Sequence, residues 1–105
     1  MSFFASILKY FKPRHTMSEK RLKFLSILEY GERSGRRSRQ RLDQCGYRMS
    51  GPSFYAMAAQ MEDEGLIEGW YKCKMIEEYQ VKELFHKITD KGIEELKRSR
   101  EDAAK

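Results

Sequence analysis

Six arginines fall within sixteen residues: Arg33, Arg36, Arg37, Arg39, Arg41 and Arg48. At that density guanidinium groups do the chemistry of polyanion binding. Each offers a planar fork of donors matched to phosphate or carboxylate oxygens. The other reactive residue types are less suggestive. Glu62, Asp63 and Glu64 stand together but lack a partner base, a nucleophile or a glycine-rich phosphate loop, so they read as solvated charge. The histidines and cysteines are His15, His86, Cys45 and Cys73, and no pair of them has zinc-ligand spacing. No catalytic residue, metal or cofactor is therefore expected.

Whether the arginines belong to a loose basic tract or to a folded face depends on the elements around them. The chain has 105 residues, 40% of them hydrophobic, enough for the small core of one domain. A formal net charge of +5 favours anionic partners, nucleic acid first and an anionic membrane surface second. Two cysteines are too few for a disulfide scaffold, and "MSFFASILKYFKPRH" has neither a basic leader nor a small-residue cleavage site. No apolar run approaches the roughly 20 residues of a membrane span. A cytoplasmic protein is expected.

Apolar spacing predicts a first amphipathic helix over residues 1–13, with Phe3, Phe4, Ile7, Leu8 and Phe11 on one side and Pro13 as its stop. Thr16 and Glu19 fit a capping box for a second helix, which carries Leu22, Phe24, Leu25, Ile27 and Leu28 up to about Tyr30. Ser34 reads as the N-cap of a third helix through Cys45, closed by Gly46. This one is polar almost all round, and only Leu42 and Cys45 are clear core candidates. Ser50 or Gly51 caps a fourth, with Pro52 in its first turn and Gly65 at its end. Its side bearing Phe54, Tyr55, Ala58 and Met61 should face the core; Ser53, Ala56, Met57 and Gln60 lie largely opposite. Three acids at its C-terminus oppose the helix dipole, so something else must hold them there.

Beyond Gly65 the composition becomes strand-like in "LIEGWYK" and "YQVKELFHKI", with "CKMIEE" as the expected hairpin tip. Trp70 and Tyr71 are expected to pack. Thr89 then caps a last helix anchored by Ile93 and Leu96, fraying from Arg98 onward. Compact helices followed by a two-stranded hairpin make a mainly α, α+β arrangement: a winged helix-turn-helix over residues 16–97, with the extra N-terminal helix before it and a tail over 98–105.

"FYAMAAQMEDEGLIEGWY" resembles the recognition-helix-to-wing segment of PadR-like winged-helix transcription regulators, through Tyr55, Ala58, Met61, the acids and Gly65-Leu66-Ile67. "HKITDKG" is similar to that family's Tyr-x-Leu-Thr-x-x-Gly, with Ile88, Thr89 and Gly92 matching and His86 in the tyrosine's place. The likeness spans about residues 18–97. It implies a homodimeric repressor that binds double-stranded DNA. The chain ends short of the long C-terminal dimerisation helices common in the family.

Under that reading Ser53, Met57 and Gln60 face the major groove. Arg36, Arg37, Arg39, Arg41, Arg48 and the amides near Ser50 grip phosphates, and Lys72 and Lys74 serve from the wing. Phe3, Phe4, Ile7, Leu8 and Phe11 are too many large apolar groups to leave in water. Their helix can pack on its own domain, pair with a second subunit or lie on a membrane; dimerisation is favoured, because helix-turn-helix proteins usually read two half-sites. Two rivals remain: a winged-helix module that binds a protein partner without DNA, and an RNA binder, which would want exposed aromatics for stacking.

Overall fold

The structure, a computed structural model, describes residues 17–104. The expected helix over residues 1–13 and Thr16 lie outside the described residues. The elements are α1 (Glu19–Leu28), β1 (Arg33–Ser34), α2 (Gly35–Gln44), α3 (Gly51–Asp63), β2 (Ile67–Ile76), β3 (Tyr79–Ile88) and α4 (Asp90–Ala103).

Each helix starts on a hydroxyl cap. Ser18, Ser34, Ser50 and Thr89 accept from the backbone N–H groups of Arg21, Arg37, Ser53 and Gly92. The cap of α1 is thus Ser18, not Thr16, and Glu19 opens the helix instead of reaching back from its third position. Two helices end on the same glycine device. After α2, Tyr47 N–H bonds the Leu42 carbonyl at 2.8 Å and Gly46 N–H that of Asp43 at 3.0 Å. After α3, Leu66 N–H bonds the Met61 carbonyl and Gly65 N–H that of Glu62, both at 2.9 Å. These are Schellman closures, and the left-handed turn they need is open to Gly46 (φ 91°) and Gly65 (φ 79°) because neither carries a Cβ.

The wing departs from expectation in two ways. β2 runs on through "CKMI", so only Glu77 and Glu78 separate it from β3, and the register pairs Ile67 with Ile88 and Ile76 with Tyr79. Ladder hydrogen bonds tie main chain to main chain, so polar side chains do not end a hairpin. β1 adds a third strand by pairing Arg33 with His86 and Ser34 with Phe85, giving the antiparallel order β1-β3-β2. A two-residue strand is too short to leave a period in the sequence.

The core gathers one stripe from every layer: Phe24, Leu25 and Leu28 of α1, Leu42 of α2, Phe54, Ala58 and Met61 of α3, Leu66 and Ile67, and Leu96 of α4. Phe24 and Phe54 meet edge to face at 5.1 Å. The side of α3 turned to the core is therefore that of Phe54, whereas Tyr55 is 40% exposed. Fraying from Arg98 onward is not seen. α4 continues to Ala103, held where Arg100 forks onto both Glu29 oxygens at 2.7 and 2.9 Å.

Candidate nucleic-acid interface

The polar helix α2 is organised by its own periodicity. Gly35, Ser38 and Leu42 are buried and seat it. Arg36, Arg39, Gln40 and Asp43 project along one flank; Arg37, Arg41 and Gln44 take the other. Its four arginines, spaced without an apolar stripe, cannot share a face, and the structure separates them accordingly.

On the first flank Arg36, Arg39, Gln40 and Asp43 line a cleft of about 360 Å³ with Arg48 and Met49 from the turn. Arg39 has a structural duty there: its Nε donates to the Met49 carbonyl at 2.9 Å, tying α2 to the turn that launches α3. A Cβ on Gly51 would lie 3.5 Å from the Arg39 guanidinium, so the start of α3 passes directly over it. Arg48 reaches Asp43 at 3.5 Å, with its own side chain 90% exposed.

A second cleft, about 520 Å³, opens between the start of α2 and the wing and is lined by Arg36, Arg37, Lys72 and Lys74, with Phe85 among the other lining residues. Arg36 lines both clefts, so the basic groups form one band from the helix-turn to the wing. Lys72 is partly occupied: it pairs with Glu32 and sits 4.4 Å above the Phe85 ring. That ring stacks on Trp70 at 6.4 Å, and Trp70 is half-buried as expected, but its neighbour Tyr71 is 67% exposed.

Beside the band lies α3. Ser50 caps it, accepting from Ser53 N–H, and donates to the Ser53 hydroxyl at 2.9 Å in an exposed segment. Ser53, Ala56 and Gln60 are exposed along one line of the helix. Met57 differs from expectation: it is half-buried and packs against the core, which turns its thioether away from open solvent. Arg41 also leaves the expected set. It bonds Gln44 at 3.2 Å and lines a different cleft with Arg33 and Arg100.

Of the three acids at the end of α3, Glu64 is held from α1 and α4. Arg21 forks onto Glu64 at 2.5 and 3.2 Å, and Lys91 Nζ donates to the Glu64 carbonyl at 2.7 Å. The Arg21 bond keeps the Glu64 carboxyl below its ordinary pKa against the opposing effect of burial.

Two features had only faint sequence signals. Tyr55 covers the start of α2, where a Cβ on Gly35 would meet its ring at 2.8 Å; a glycine directly after a capping serine is the trace of that contact. The outer wing exposes Tyr71, against the expectation that it packs, with Met75 and Ile76 of the expected hairpin tip and Tyr79 beside it.

A small three-stranded sheet with a long hairpin, set on helices of which α2 and α3 form a helix-turn-helix, defines a winged helix-turn-helix protein. Among solved structures, a PadR-like transcriptional regulator from Bacillus cereus matches with a TM-score of 0.66 and 29% identity, over 78% of this chain and 78% of that one. A PadR family transcription regulator from Clostridium difficile matches at 0.69 and 16%, over 81% and 86%. Bacillus subtilis PadR in complex with operator DNA matches at 0.64 and 21%, over 78% of this chain and 46% of that one. No protein-family profile and no curated protein sequence matches the chain. The architecture is the PadR-like winged helix, and the resemblance read from the motifs holds in three dimensions.

Proposed function

We propose that this chain is a DNA-binding transcription regulator, a cytoplasmic repressor that occupies double-stranded operator DNA as a homodimer. The carrying observation is the band of Arg48, Arg39, Arg36, Arg37 and Lys74 running beside the exposed line of Ser53, Ala56 and Gln60. Phosphates on either side of a major groove fit the band, which leaves α3 over the base edges. Its work is binding, with no chemical step. That the Bacillus subtilis neighbour was solved with operator DNA supports the reading. Two subunits would address half-sites about 34 Å apart. In this proposal Phe3, Phe4, Ile7, Leu8 and Phe11 supply the dimer contact, and a monomer by light scattering at micromolar concentration rejects that part.

Fluorescence anisotropy with a labelled random duplex across a salt series tests the whole. Arg36, Arg37, Arg48 and Lys74 from two subunits should give a slope of log K against log salt of about −7. Absence of binding even at low salt would reject DNA as the partner and favour a protein, for which the exposed wing residues Tyr71, Met75, Ile76 and Tyr79 are the anchor.

A further inference from the structure

One turn beyond Arg37, Arg41 borders a cleft of about 300 Å³ between α1, α2 and α4. Four cations line it: Lys23 from α1, Arg33 from β1, Arg41 from α2 and Arg100 from α4. Among the described residues its one acid is Glu29, which Arg100 already holds with both forks of its guanidinium. That bond keeps the Glu29 carboxyl below its ordinary pKa, so Glu29 stays paired and offers little to the remaining cations.

Lys23, Arg33 and Arg41 have no carboxylate within 4 Å among the described residues. Residues 1–16 contain no Asp or Glu that could supply one. Lys23 and Arg33 are moreover half-buried. Bringing like charges together and partly out of water is unfavourable unless an anion joins them. Ion pairs elsewhere show that this chain pairs half-buried cations when it has the means: Arg21, at 18% side-chain exposure, is held by Glu64.

We propose that this cleft is a binding site for a small phosphate-sized oxyanion, free or carried as a phosphate monoester. Arginine forks from β1 and α2 and a lysine point charge are the donor set that such a group takes. The volume lies at the lower end of ligand sites, right for a compact ligand and too small for a nucleic-acid strand. Arg33 lines both this cleft and the one beside the wing, so the site adjoins the proposed DNA surface at that residue, while Lys23, Arg41 and Arg100 line neither cleft of that surface. An occupant would brace α1, α2 and α4 against one another, behind the helix that carries the basic band.

The test is calorimetric titration of the purified full chain with inorganic phosphate and, separately, with glycerol phosphate, chloride being exchanged to hold ionic strength constant. Wild type and an R36Q/R48Q variant should bind saturably. K23Q/R41Q should bind about tenfold more weakly or not at all, since charged hydrogen bonds are lost. Binding of inorganic phosphate alone assigns the site to the free ion; tighter binding of the ester assigns it to a phosphorylated small molecule. No saturable binding by wild type overturns the proposal. So does equal loss in R36Q/R48Q, which places the anion on the other flank. Should K23Q/R41Q lower the molecular mass in solution while wild type ignores phosphate, the cations face a second copy's carboxylates and the proposal fails. Amide shifts of the wild type give a reading independent of any variant's folding. Phosphate must move Ser26, Arg41 and Cys45 and leave Ser53 and Gln60 in place; the reverse pattern overturns the assignment.

Discussion

Gly92 lies against the Leu66 carbonyl so closely that a Cβ there would overlap the oxygen and come within 2.8 Å of Ile88 Cγ1. The same junction is bonded from the other side. Thr89 Oγ1 donates to the Gly65 carbonyl at 2.5 Å, and Thr89 N–H donates to that of Leu66 at 3.1 Å. The Gly-Leu-Ile and Ile-Thr-x-x-Gly stretches, 24 residues apart at Gly65 and Thr89, are thus two halves of one joint between α3, the wing and α4. Backbone cannot retreat as a side chain can. Gly92→Ala should destabilise the protein by about 1–3 kcal/mol through overpacking, read as a lower urea midpoint at unchanged slope. An unchanged midpoint would show that α4 shifts freely on the wing.

His86 is fully buried, with neither ring nitrogen hydrogen-bonded among the described residues, and it meets Phe24 edge-on at 5.7 Å and Phe54 at 6.3 Å. Burial pushes its pKa below the ordinary 6.5. The folded protein therefore holds the neutral ring where the unfolded chain binds a proton. With more protons bound in the unfolded state, stability rises with pH. It should be complete well above pH 6.5 and decline as pH falls from there toward the folded-state pKa. His86→Phe removes the titration, and denaturant melts at stepped pH should show a flatter profile between pH 7 and 5.5. A slope equal to that of wild type would assign the acid sensitivity to other groups.

Arg39 and Arg36 sit one helical turn apart yet should fail differently. Loss of Arg39 frees the Met49 carbonyl and loosens the turn ahead of α3. Arg39→Ala should lower stability by about 0.5–1.5 kcal/mol and weaken duplex binding as well. Arg36→Gln, which breaks no bond seen in the structure, should leave the melting temperature in place and reduce the salt slope by about 1 per subunit. If both variants alter only binding, the Arg39 bond does not order the turn.

The Arg21–Glu64 pair joins α1 to the end of α3, with side chains 18% and 48% exposed. A double-mutant cycle with Arg21→Ala and Glu64→Ala should return a coupling of about 0.5–1 kcal/mol, as partly solvated pairs do. The folded-state pKa of Glu64 is lowered, so the coupling is present above the ordinary carboxylate value of 4.5 and should vanish as pH falls through the folded value. Coupling that survives at pH 2 would point to packing of the arginine stem instead of charge.

Caps and stops were legible residue by residue. Ser34, Ser50 and Thr89 each precede a helix, and Gly46 and Gly65 each end one, because those roles depend on a single side chain and its nearest backbone. Where two hydroxyls compete, as at Thr16 and Ser18, spacing alone picks the wrong one. β1 was invisible, since its two residues become a strand only through β3.

The sequence by itself determined the helices, the hairpin and a basic surface, because periodicity and capping act over one or two turns. Which arginines share a surface was decided only by the fold. Arg36, Arg39 and Arg41 look equivalent in the chain, yet Arg36 joins the band beside α3, Arg39 binds the Met49 carbonyl and Arg41 faces Arg33 and Arg100. The burial of Ser38 and Leu42 sets that division, by fixing the rotation of α2 on the core. A helix with so few apolar residues cannot announce its rotation. Its neighbours impose it.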